Sequence, residues 1–167
     1  MAGSRFDNPY VTESPCAEMP NQEESMSCSA ACPRKLLLNA SVDKPESEIR
    51  NAANFHPAFG IDPFDLAGAL DLFHPNRKYL GGCVNPQANQ TLDGLVLSLT
   101  STGPWIANLH LPGMHSVIVI RIERDIIHLL DPWGMTGPGS GCGTSATIFM
   151  DEFLRRWQPN LHAVFEK

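Results

Sequence analysis

The chain has 167 residues, a formal net charge of −6, 43% hydrophobic residues and 18% charged residues. That length and balance suit one globular domain with a core of its own. The negative charge and the lack of a Lys/Arg cluster argue against a nucleic-acid partner, and no apolar run approaches a membrane span. The N-terminus carries no basic-then-apolar secretory pattern.

Residues 1–21 are polar, with three prolines and several acids, and read as an arm or linker, flexible or packed across the body, ahead of a domain spanning 22–167. A short helix is predicted over 28–38, opening at Ser27-Cys28-Ser29-Ala30-Ala31-Cys32, with Pro33 expected in its first turn. Residues 39–54 are polar and read as loop. Asp62-Pro63 is a helix start, followed by Phe64, Leu66, Ala67, Leu70 and Phe73 at helical spacing, and His74-Pro75-Asn76 ends it. Gly81-Gly82 reads as a turn. Residues 95–99 are taken as a strand with helix as the alternative, and 105–109 as a strand. Residues 116–122 and 126–131 form the clearest pair, joined by the tight polar turn Glu123-Arg124-Asp125. Residues 137–143 form a glycine-rich loop, and a last helix is predicted from about Ala146 to Trp157. Helices first and strands later make an α+β pattern.

Five cysteines, at 16, 28, 32, 83 and 142, are an odd number without the spacing of a disulfide framework. A reducing, cytoplasmic site of action is therefore expected. Cys28 and Cys32 are four apart, but no second Cys or His pair stands at matching spacing, so no metal and no cofactor is expected.

Cys28 carries the strongest chemical signal. A thiol becomes a nucleophile when a helix N-terminus and an imidazolium stabilise its thiolate, and Cys28 stands where the helix begins. His115 heads an apolar strand and Asp131 ends the returning one. With the turn centred on Arg124, Asp131 falls opposite Val117, whose face His115 shares, so the imidazole and the carboxylate are neighbours at the open end of the hairpin. His128 has the wrong strand parity for that role, and His110 is placed in a loop bordering the cleft. Gln22 lies six residues before Cys28, and its side-chain NH2 could join the Cys28 backbone N–H in an oxyanion hole. Trp133 is expected to pack near the site, and Trp105 in the core.

The pattern Gln-x5-Cys, then a histidine heading an apolar strand, then Asp131-Pro132-Trp133-Gly134, resembles the papain-like cysteine proteases. It is most similar to the bacterial branch with the double-glycine leader peptidases and the papain-like effector or toxin proteases. The resemblance implies a papain-like α+β fold in which an N-terminal helix carrying Cys28 packs on a small antiparallel β-sheet carrying His115 and Asp131. It implies that Cys28 is the nucleophile, His115 the general base, Asp131 the orienting acid and Gln22 the oxyanion-hole glutamine. It further implies a protein substrate, delivery into a target cell as the toxin domain of a secreted effector, and an immunity protein covering the cleft in the producer. Ser29, Met114, Ser116 and Pro33 depart from the usual residues at their positions. Two alternatives stand beside this reading: a glutamine deamidase or transglutaminase-type acyl transferase with the same triad, and a catalytically inactive binding module.

Overall fold

The computed structural model describes residues 8–111, 113–135, 137–139 and 141–167. Seven strands form one antiparallel sheet in the order β1-β6-β5-β4-β3-β7-β2: β1 Thr12–Pro20, β2 Tyr79–Cys83, β3 Trp105–His110, β4 Met114–Glu123, β5 Ile126–Asp131, β6 Cys142–Phe149 and β7 His162–Glu166. Helices cover both faces. On one face, α1 (Cys28–Asn39), α2 (Glu46–Ala52) and α3 (Pro63–Phe73) pack Leu37, Ile49, Leu66 and Leu70 against Ile106, Ile118 and Leu130. On the other, α4 (Leu92–Ser101) and α5 (Met150–Trp157) pack Val96, Phe153 and Trp157 against Trp105, Val117, Val119 and Leu129. Burial on both faces explains why the central strands read as continuous apolar runs.

Several segments depart from the sequence reading, each for an identifiable reason. Residues 12–20, within the segment read as an arm or linker, pair with β6 as an edge strand. Pro15 and Pro20 are tolerated because an edge strand has a free side, and the fully buried Met19 anchors the strand to the core. Residues 46–52 are helical rather than loop, and Ile49 is the single large apolar side chain that seats them, too weak a pattern to read. Residues 95–99 belong to helix α4. Thr91 caps it by accepting from Gly94 N at 3.1 Å, Val96 is buried and Leu97 is 53% exposed, the reverse of what strand alternation requires. The last helix begins at Met150, because Ala146 and Ile148 alternate inward along β6 before the chain turns.

Gly81 and Gly82 lie in strand β2 rather than in a turn. A Cβ on Gly81 would fall 2.0 Å from the Pro63 carbonyl oxygen, so glycine is what lets β2 pass the first turn of α3. Gly81→Ala is expected to destabilise the fold by about 1–3 kcal/mol, read as a lower urea midpoint with an unchanged slope.

The β4–β5 hairpin sets the position of the site. Its turn has two residues, Arg124 and Asp125, with Arg124 at φ 58°, so Glu123 pairs with Ile126, one residue away from the expected register. A bulge between Val119 and Arg121 takes up the difference, and Val119 faces Leu129 and Ile118 faces Leu130 as that register requires. The bulge also switches parity, which is why Ile122 packs with Val117 and Val119.

Candidate active site

The nucleophile helix starts without a side-chain cap. Ser27 is its N-cap residue, and its carbonyl accepts from Ala30 N and Ala31 N, both at 2.9 Å. The Ser27 hydroxyl instead donates to the Glu24 carbonyl, so the amides of Cys28 and Ser29 have no carbonyl within the helix. Those N–H groups and the helix dipole favour negative charge at Cys28. Pro33 lies in the second turn, not the first, and costs the Ser29 carbonyl its usual i+4 donor. Ser29 Oγ, which the sequence marked only as a departure, accepts from Ile61 N at 3.2 Å and ties the 56–61 loop to the helix.

Ser116 separates the two helix cysteines chemically. Its N–H donates to Cys28 Sγ at 3.5 Å, and its carbonyl accepts from Cys32 Sγ at 3.4 Å. A donor favours a thiolate at Cys28, and an acceptor requires a thiol at Cys32. Burial alone would raise the Cys28 pKa, but the His115 charge and the hydrogen bonds from His115 and Ser116 outweigh it and bring it below its ordinary value. Burial pushes Cys32 well up, and the neighbouring anionic groups add to that.

His115 and Asp131 meet as the hairpin register requires, with His115 Nε2 2.7 Å from Asp131 Oδ1. This leaves Nδ1 for the thiol, with which the imidazole also hydrogen-bonds. Burial opposes the charge on His115, but Asp131 and Cys28 together raise its pKa to about 10. Asp131 is fully buried and also accepts from Trp133 N at 2.8 Å, so the turn after β5 holds the carboxylate in place. A Cβ on Gly143 would stand 2.6 Å from the Asp131 carbonyl oxygen and 2.5 Å from Met19 Cγ, so glycine there lets β1, β5 and β6 close around the acid. The Trp133 ring meets the His115 ring edge-on at 6.4 Å.

Gln22 is buried and structurally committed. Its backbone N–H donates to the Pro132 carbonyl at 2.9 Å, and its side-chain Nε2 donates to the Glu24 and Ser25 carbonyls at 2.7 and 3.0 Å. Its Oε1 is buried without a hydrogen-bond partner. The residue thus braces both the loop entering α1 and the turn after Asp131, and its amide hydrogens are engaged there.

Glu46 is a buried carboxylate behind the loop that enters α1, and the sequence reading missed it. Its buried carboxylate accepts from Glu23 N at 3.3 Å and from Arg50 Nη1 at 3.3 Å. Burial raises its pKa. The signal for it was the Glu46/Arg50 i,i+4 pair, hidden in a segment read as loop. His110 ends strand β3, and its buried Nε2 has no partner, while His128 pairs with Glu123 at 3.4 Å away from the triad. Trp105 is fully buried in the core, as expected. A groove of about 540 Å³ flanks the site, lined among others by Met26, Phe59, Ile61, Asn108 and Met114.

The fold has counterparts among solved structures. A double-glycine motif protease from an AMS/PCAT transporter, solved in complex with the leader peptide, superposes with a TM-score of 0.63 at 17% identity, covering 95% of this chain and 93% of that one. The peptidase domain of Streptococcus ComA, a bi-functional ABC transporter of a quorum-sensing pathway, gives 0.65 at 12%, covering 88% and 95%. The fold is that of the C39-type papain-like peptidases. A C39-like peptidase from Bacillus anthracis gives 0.63 at 10% identity, covering 93% of this chain and 98% of that one. No protein-family model matches the chain, and a search of curated proteins finds no match.

Proposed function

We propose that this chain is a cysteine protease that hydrolyses peptide bonds in a protein target through a Cys28-His115-Asp131 triad. The observation that carries the reading is the balance at Cys28, where the charged imidazole and the Ser116 N–H overcome burial and favour the thiolate. The Cys28 sulfur attacks the scissile carbonyl carbon. The resulting oxyanion is met by the backbone N–H of Cys28, with Gln22 as second donor if its Nε2 releases the Ser25 carbonyl. His115 passes its proton to the leaving amine as the C–N bond breaks, giving a thioester. Water, deprotonated by His115, then attacks the thioester carbonyl, and the acid product leaves with the thiolate restored. Asp131 holds the imidazole and balances its charge throughout. The groove beside Met114, where Met26, Phe59 and Ile61 lie among Asp62, Asp65 and Asn108, suits a peptide that presents both apolar and polar side chains.

Free cysteines support action in a reducing cytoplasm. The reading extends to the toxin domain of a secreted bacterial effector, opposed in its producer by an immunity protein over the cleft. That extension is supported by the sequence resemblance.

Iodoacetamide labelling of each cysteine between about pH 5 and 8 tests the site without a known substrate. Near pH 6, Cys28 is expected to label about tenfold faster than the exposed Cys83, and His115→Ala is expected to abolish that advantage. Equal rates at Cys28 and Cys83 in the native protein would reject the triad. Product mass then identifies the reaction, since proteolysis splits a target whereas deamidation adds about one dalton.

A further inference from the structure

Tyr10 stands just ahead of β1, and its hydroxyl donates to Asp131 Oδ2 at 2.6 Å. The two contacts described above, from His115 and Trp133, both fall on Oδ1. Tyr10 therefore anchors the other oxygen, and both ends of the carboxylate are held.

The placement of that hydroxyl is built into the fold. Tyr10 N donates to Asn8 Oδ1 at 3.0 Å, and Asn8 Nδ2 donates to Glu13 Oε2 at 2.9 Å. The next residue, Val11, donates its N–H to the Thr147 carbonyl on β6 at 2.8 Å. The ring is half-buried against the core cluster that holds Leu129 and Ala146. Strand alternation puts Asp131 on the same face of β5 as Leu129. The β1–β6 pairing thus carries a phenol across that face to a residue 121 positions later in the chain.

We infer that Tyr10 is a positioning residue for the triad: it fixes the plane of the Asp131 carboxylate so that Oδ1 faces His115, and the segment before β1 completes the active site. A carboxylate free to turn about its Cβ–Cγ bond is a less constant partner for the imidazolium. Loss of the phenol therefore weakens the support for charge on His115 and slows every step that needs a correctly aimed imidazole. The inference rests on the cysteine-protease reading of Cys28, His115 and Asp131.

The test is the pH profile of Cys28 alkylation by iodoacetamide, from about pH 4 to 10, in the full-length native protein, Tyr10→Phe and Asn8→Ala. Rates are normalised to the folded fraction from circular dichroism. The native profile is expected to show a reactive plateau and an upper step where His115 loses its proton. Tyr10→Phe keeps the ring and removes the donor. It is expected to move the upper step down by about half a pH unit or more and to slow the plateau rate about threefold. Asn8→Ala, which loosens the turn holding the Tyr10 backbone, is expected to shift the step in the same direction by less. A purely packing role would lower the folded fraction and leave the normalised profile unmoved. Superposition of both variants on an activated native profile overturns the role of Tyr10 alone, whereas a native Cys28 no more reactive than Cys83 overturns the triad with it.

Discussion

Cys28→Ser is expected to reduce peptide cleavage by about 10³-fold or more while leaving the fold in place. The serine oxygen occupies nearly the same position, with the Ser116 N–H and the His115 imidazole still available as partners. What is lost is the charge. A hydroxyl in this site does not ionise, so no oxyanion nucleophile forms, and His115 loses one of the two groups that raise its pKa. The thermal midpoint is expected to move by no more than a few degrees, since the exchange removes little volume and no backbone contact. The measurement is mass-spectrometric counting of new termini in a proteome-derived peptide library treated with equal amounts of each protein. Equal counts in the two samples would favour a binding module that keeps the fold without the chemistry.

The parts of this fold legible from sequence were those with strong local chemistry. Asp62-Pro63 announced α3 because an N-cap acid and a proline at the first helical position act through the backbone alone, and Asp62 accepts from Phe64 N at 2.8 Å. The β4–β5 hairpin was legible from two apolar runs around a polar turn. Its inner register came out as expected only because the bulge near Ile120 offsets the tighter turn. Strands β1, β2, β6 and β7 were not legible as strands. Pro15, Pro20, Gly81 and Gly82 break local propensity, and their strand state depends on partners distant in sequence: β6 for the first and β7 for the second. Helix α4 was misread because Leu95, Leu97 and Leu99 alternate, while the deciding Thr91 cap lies outside that run.

The site divides along the same line. Cys28, His115 and Asp131 could be placed from chain order and strand parity, and the structure brings them together. The groups that tune them were hidden because they act over long separations or through backbone atoms. Ser116 acts by its N–H and carbonyl, Trp133 by its N–H, and Tyr10 from a segment read as arm. Gln22 was singled out by spacing as an oxyanion-hole donor, whereas its burial and its ties to Glu24, Ser25 and Pro132 could only come from the fold.

Asp131→Asn separates the carboxylate's charge from its shape. His115 carries a pKa raised from 6.5 to about 10, with Asp131 the foremost of the groups that raise it against burial. A group raised on folding stabilises the fold below its unfolded value, and that contribution fades as pH rises through the folded value. The His115 contribution is therefore full below about 6.5 and lost towards about 10. Cys28 is lowered on folding, so its contribution is present above its ordinary 9.0 and is lost as pH falls through the lowered value. The thiolate–imidazolium pair consequently exists between the lowered Cys28 value and the raised His115 value. Asparagine preserves an oxygen for the His115 and Trp133 donors but supplies no charge, so burial regains its hold on the imidazole and the upper limit of that window moves down. Cleavage at about pH 8 is expected to fall by two to four orders of magnitude. The deficit should narrow as pH is lowered, because protonation of His115 is then restored by solvent acidity rather than by Asp131. A constant deficit across the whole range would mean that Asp131 orients the ring without setting its charge.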